Sequence, residues 1–385
     1  MTKSKISLKY VTPVLMGFFV MSFCDLVGIG VDRVKLDFEL SNTLAQLIPS
    51  AVFLWFLVLS VPVGILQDRL GKRNVLNIGM IITALGLLIP FLFYSFATIL
   101  MGFALLGIGN TVVQVSANPL LVDVVPSNRR SSFLSFSQFV KAIGSMIMAP
   151  LAGILASKFG DWKLIFVVFG VVSILTVLWL ATIKIEETKN TEQRATFGSS
   201  FKLLGVGFVA VMVICIFLVV GIDVGVNAVS GQFLLAKFGS AQTLAESGRS
   251  VYFFGKMLGT FGGAILLAKL SSPKFFTWTS ILGLVSIVAL MFAPSEGVAM
   301  VIIFVIGLGI ANIFPLVFSL TVERYPERAN EISGLMIMAV SGGAVLPLLM
   351  GWIGDISSVT ASVFVLVAAI IFILIVSLNQ KKAKA

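Results

Sequence analysis

The sequence predicts an all-α membrane protein, with twelve spanning helices arranged as two six-helix halves. Three observations predict it. The chain is 58% hydrophobic and only 11% charged over 385 residues, where a soluble domain carries about 25% charged residues. Apolar runs long enough to cross a bilayer recur from end to end, separated by short polar gaps. Finally, landmarks in the first half return at an offset of about 200 residues, a period suited to a duplicated membrane bundle.

At ~20 residues per spanning helix, the runs fall at 12–35, 42–66, 74–94, 97–121, 131–157, 163–183, 204–235, 246–269, 275–294, 298–322, 331–354 and 359–379. The first is read as a span and not a cleaved leader, because Asp25 interrupts it and no small-residue cleavage site follows. Cations gather in alternate gaps: Lys3, Lys5 and Lys9; Arg69, Lys72 and Arg73; Arg129 and Arg130; Lys184, Lys189, Arg194 and Lys202; Lys269 and Lys274; Arg324 and Arg328; Lys381, Lys382 and Lys384. Positive loops stay in the cytoplasm, so this pattern places both termini there with an even number of spans, and the chain is expected in the inner membrane of the cell. It also explains the net charge of +10 without invoking nucleic acid.

The longest polar stretch follows the sixth run and holds Glu186, Glu187, Lys189, Asn190, Glu192 and Arg194. It divides the chain into 1–185, a linker 186–202, and 203–385. The repeat supports that division. Gly64 to Leu70 aligns with Ala264 to Leu270, and Val125-Pro126 aligns with Tyr325-Pro326. Ala149-Pro150-Leu151 matches Leu346-Pro347-Leu348 within a few residues, and Asp25 matches Asp223.

Several chemistries are absent from the sequence. There is no histidine, so proton coupling near neutral pH falls to a carboxylate or a lysine. Cys24 and Cys215 lie in apolar runs and form no disulfide framework. The 35 glycines read as helix-packing and hinge positions, since none builds a phosphate loop before Lys-Ser or Lys-Thr. No nucleophile elbow or metal-ligand cluster is present. The chain reads as neither an enzyme nor a cofactor protein, and as a monomer in lipid.

Polar residues inside spans are the candidates for function. At 100° per residue, Ser22, Asp25 and Asp32 share a face of the first span, near Gly28. Asn110, Gln114 and Asn118 form a stripe on the fourth, Ser137, Lys141 and Ser145 on the fifth, and Asp223, Asn227 and Ser230 on the seventh. Amides and hydroxyls often serve only as interhelical hydrogen bonds. A charge at the bilayer centre costs at least ~2.5–3.5 kcal/mol, so Asp25, Lys141, Asp223 and Lys256 need a partner, water or a task. Desolvation favours the protonated form of a carboxylate, which makes Asp25 and Asp223 the candidate proton sites. Asn312 adds an amide to a cradle with Gln114, Asn118 and Asn227, suited to hydroxyls that donate and accept at once. Lys141 has two readings: an ion pair with Asp25, which we favour, or the anchor of an anionic solute.

The gap after the second span reads Gly64-x-x-x-Asp68-Arg69-x-Gly71-Lys72-Arg73. Glycine permits a tight turn, and the flanking charges can pair across helices and grip anionic headgroups. This spacing resembles the signature loop of the major facilitator superfamily. The resemblance implies two pseudo-symmetric bundles around a central cavity lined by the first, fourth, seventh and tenth helices. It also implies a conformational, gating role for Gly64, Asp68, Arg69, Gly71, Lys72 and Arg73. A second stretch, Gln114 to Pro119 with Ser131 to Phe139, Gly144 and Ala149-Pro150-Leu151, resembles the fucose and glucose/galactose proton symporters. Gly255-Lys256, Phe314-Pro315, Phe318-Ser319, Gly342-Gly343, Pro347 and Gly351 extend that likeness. It implies import of a monosaccharide or related solute with a proton, sodium being the rival ion. Lys141 stands where asparagine is common in that family, which keeps an acidic sugar open as the substrate. An efflux antiporter of the same superfamily is the other alternative.

Overall fold

The computed structural model describes residues 7–40, 47–188, 196–240 and 242–382. Lys189, Asn190, Glu192 and Arg194 of the expected linker lie outside the described residues, as do Lys3, Lys5 and Lys384 and the side chains of Gly28, Asp32, Ala149 and Pro150. Every regular element among the described residues is a helix, as a chain in lipid requires, because only helices or closed barrels satisfy the backbone internally.

The helices are α1 (Leu8–Met21), α2 (Leu26–Asp37), α3 (Leu47–Leu70), α4 (Lys72–Leu92), α5 (Phe96–Val124), α6 (Arg130–Phe159) and α7 (Leu164–Ala181). After the short α8 (Phe197–Lys202) come α9 (Gly207–Phe238), α10 (Gln242–Leu266), α11 (Ser272–Met291), α12 (Glu296–Ile310) and α13 (Ile313–Arg324). The chain closes with α14 (Ala329–Met338), α15 (Gly342–Ile356) and α16 (Val359–Lys382). Three expected spans are thus interrupted: the first by a 3₁₀ turn at Ser22–Asp25, the tenth between Ile310 and Ile313, and the eleventh by a 3₁₀ turn at Ala339–Ser341.

Eleven stretches among the described residues are long and apolar enough to cross a membrane. The remaining expected span corresponds to α10, whose 25 residues reach about 37 Å at 1.5 Å per residue. Arg249, Tyr252, Lys256 and Thr260 lower its apolarity. The large exposed residues on the other helices, such as Leu57, Leu175, Trp278, Val285 and Phe364, are apolar, which is the surface expected against lipid tails.

The chain forms two compact units that do not follow the sequence halves throughout. The first comprises Met1–Ser127, Val140–Leu203 and Tyr325–Met338; the second comprises Asn128–Phe139, Leu204–Arg324 and Ala339–Ala385. Within the first unit, Phe23 stacks on Phe169 with ring centroids 4.3 Å apart, and Phe103 meets Phe166 edge-on. At one end of this unit the Tyr94 hydroxyl donates to Asp37 at 2.5 Å, Trp162 Nε1 donates to the same oxygen, and the Lys163 ammonium sits over the Tyr94 ring. Burial and the neighbouring Asp37 push the Tyr94 phenol well above its ordinary range. The second unit is packed around Phe233, Tyr252, Phe276 and Phe318.

Candidate functional site

In the first unit the site is built on the break in the first span. The turn Ser22–Asp25 releases backbone carbonyls from the helical ladder, and Asn110 Nδ2 of α5 donates to Met21 O at 2.6 Å. Gln114 Nε2 donates to Asn110 Oδ1 at 2.7 Å, and Asn118 Nδ2 donates to Gln114 O at 2.8 Å. Of the predicted stripe, Asn110 therefore braces the break directly and Gln114 holds Asn110 in turn. Asn110 and Asn118 are 0% and 1% exposed, against 9% for Gln114.

Asp25 emerges at the end of that turn with an exposed side chain. Ser145 Oγ of α6 donates to its Oδ2 at 2.5 Å. Lys141, one turn earlier on α6, is half-buried. Its ammonium does not pair with Asp25: no described carboxylate oxygen lies within 4.0 Å of Lys141 Nζ. The favoured ion pair is replaced by the serine contact because Ser145 occupies the nearer turn of the same helix face. Ser137, the third member of that stripe, is buried and bonds to Leu134 O in its own helix.

The second unit treats its aspartate differently. Asp223 lies within the unbroken α9, and α10 supplies two partners one turn apart. Tyr252, fully buried, donates its hydroxyl to Asp223 Oδ1 at 2.5 Å, and Lys256 Nζ pairs with Oδ2 at 2.5 Å. Both carboxylate oxygens are engaged. Asn312, in the break between α12 and α13, donates to Gly259 O at 2.7 Å and is 1% exposed, so it too braces a helix. Asn227, one turn beyond Asp223, remains half-buried. Sequence reasoning missed Tyr252; its place four residues before Lys256, in a chain with four tyrosines, was the available signal.

The loop between α3 and α4 turns at Gly71, where φ is +84°, a conformation open to glycine at little cost. Glu187 accepts from the backbone N–H groups of Lys72 and Arg73 at 2.6 and 3.0 Å. A carboxylate there meets the positive end of the α4 dipole. Lys72 Nζ pairs with Asp123 at 2.5 Å, the two side chains being 1% and 5% exposed, and Arg73 donates to Ile183 O. Lys72 thus makes the expected pair across helices, and Arg73 holds a backbone carbonyl. Arg69 is exposed. Asp68 Oδ1 accepts from Asn330 Nδ2 at 2.5 Å, and a side chain at Gly64 would strike the backbone of Asn330 and Gly334. That close approach packs α14 on α3 inside the first unit. Asp123, Glu187 and Asn330 carried no motif of their own in the sequence.

A glucose/galactose transporter of Brucella abortus (strain 9-941) is 24% identical over 88% of this chain and 86% of its own length. The transporter FucP, solved in the outward conformation, superposes with a TM-score of 0.85 at 16% identity, covering 97% of this chain and 99% of that one; it is the fucose:proton symporter of E. coli. The proton:xylose symporter XylE, bound to 6-bromo-6-deoxy-D-glucose, superposes at 0.76 with 15% identity, covering 97% and 95%. These likenesses fix the fold. The model of the Major Facilitator Superfamily matches residues 14–222, and the chain belongs to that superfamily.

Proposed function

We propose that the chain is a secondary active transporter that imports a sugar or related hydroxylated solute by proton symport, with Asp25 binding the proton. The observation that carries this reading is the contrast between the two aspartates. Asp25 is exposed and holds a single described hydrogen bond, from a neutral hydroxyl, so it can take up a proton and meet a solute. Asp223 has a cation on one oxygen and a phenol on the other, so both of its oxygens are already taken by protein partners. The transport assigned by name to the Brucella relative, to FucP and to XylE supports a sugar and a proton.

In this reading Gln114 and Asn227 are the amides that meet hydroxyls, and Gly64, Asp68, Arg69, Gly71, Lys72 and Arg73 act in gating. The halves 1–185 and 203–385, joined by 186–202, are the moving bodies of alternating access, and both termini face the cytoplasm. The test is uptake into proteoliposomes from a panel of neutral hexoses, amino sugars and sugar acids. Accumulation above equilibrium driven by an imposed pH gradient is the expected result. Accumulation that follows a sodium gradient and ignores pH would reject the proton, and no uptake of any sugar would reject the solute class.

A further inference from the structure

Two lysines lie well inside the spans, and the protein treats them in opposite ways. Lys256 spends its charge on Asp223 at 2.5 Å. Lys141 has no counter-ion within 4.0 Å and no hydrogen bond from its ammonium among the described residues. An ammonium in a span without a partner is costly, and nothing in packing requires it there: Lys141 is only half-buried. It shares its helix face with Ser145, and Ser145 is bonded to the exposed Asp25. The three side chains offer a cation and a hydroxyl one turn apart on α6 and a carboxylate bonded to that hydroxyl. Cys24, buried beside them, is the other titratable group described there.

We propose that the transported solute carries one anionic group, the carboxylate of a sugar acid, and that Lys141 binds it. This deepens the sugar-import reading and rests on it. Charge balance argues for the assignment. With Asp25 ionised, Lys141 and Asp25 together are neutral. When Asp25 takes a proton, Lys141 is left as an uncompensated cation, and a solute carboxylate restores neutrality. One anion then enters with one proton and no net charge moves. A neutral hexose leaves the cation unmatched in that state.

The experiment compares the binding of a hexuronate, its uncharged methyl ester and the parent hexose to the purified wild-type protein. The wild type should prefer the hexuronate to its ester by about 10-fold or more, the usual worth of a hydrogen bond to a charged group. In Lys141→Asn that preference should fall to about one, and in Lys141→Arg, which keeps the charge, it should persist. A wild type that binds ester and hexuronate equally overturns the proposal, whether or not the Asn variant folds. A preference that survives in Lys141→Asn overturns the assignment to this residue. Binding of the hexose and ester without any preference for the hexuronate removes this inference alone, whereas no binding of all three removes the sugar-import reading with it.

Discussion

Asp25 and Asp223 occupy matching places in the two sequence repeats, yet their surroundings have diverged. Around Asp25 the helix breaks, α5 spends an asparagine on the break, and the carboxylate is left exposed with one serine. Around Asp223 the helix runs unbroken through 32 residues, and both oxygens are filled from α10. The difference teaches that an intramembrane carboxylate can be tolerated by two routes. One leaves it exposed with a single neutral hydroxyl; the other pairs it with a cation inside the protein.

The largest expected effect separates these routes. Asp25→Asn should abolish accumulation driven by a pH gradient while leaving exchange of solute across equilibrated membranes, measured in the same proteoliposomes. Full accumulation in that variant would erase the functional half of the contrast. Asp223→Asn should act on stability instead, because it strands the Lys256 ammonium. Breaking a fully buried pair costs about 3–5 kcal/mol, and partial exposure here reduces that to roughly 1–3 kcal/mol. A clear fall in thermal unfolding temperature is expected, and Lys256→Met in the same protein should restore most of it. If the double variant is no more stable than the single one, the pair is not what settles Asp223.

Much of this arrangement was legible in the sequence, and the illegible parts have a common cause. The spanning helices and the intramembrane charges follow from apolar run length and from the energetic cost of charge in lipid, both local properties. Partners are not local. Asn110 reads as a candidate ligand because a buried amide and a ligand-binding amide have the same sequence signature; only the position of Met21 O, 89 residues away, assigns it to the brace. The same holds for Lys72, whose basic run allows a pair across helices but names no partner until Asp123 is found against it. The break at Ser22–Asp25 also left no mark, since neither proline nor glycine occurs in those four residues.

Asn110→Ala tests whether the brace keeps the two halves different. It removes the donor to Met21 O and leaves Gln114 without its acceptor, which should cost about 1–3 kcal/mol for buried groups left unsatisfied. The matching change Asn312→Ala removes the donor to Gly259 O and should cost a similar amount. What should distinguish them is solute affinity: the first variant should weaken it severalfold by letting the Asp25 turn relax, and the second should leave it closer to the wild type. Equal losses of affinity would mean that the break in the first span has no special link to the site.

The smallest effect concerns the loops that follow the matched helices α3 and α10. Gly71 and Ser271 are equivalent by the offset of about 200 residues, but Gly71 has φ +84° while Ser271 has φ −72° and ψ 136°. A side chain at Gly71 meets a positive-φ extended conformation, φ +84° and ψ 149°, that costs L-residues about 1–3 kcal/mol, and it approaches the Glu187 carboxylate at 3.1 Å. Ser271 is in an ordinary extended conformation, and its hydroxyl makes no capping bond to α11, so Ser271→Gly should cost only a few tenths of a kcal/mol. Gly71→Ser should therefore lower the unfolding temperature by a few degrees, and Ser271→Gly should hardly move it. Equal shifts from the two substitutions would show that the turn at Gly71 is as permissive as its counterpart, and that Glu187 bonds to the first backbone amides of α4 without needing the left-handed residue before them.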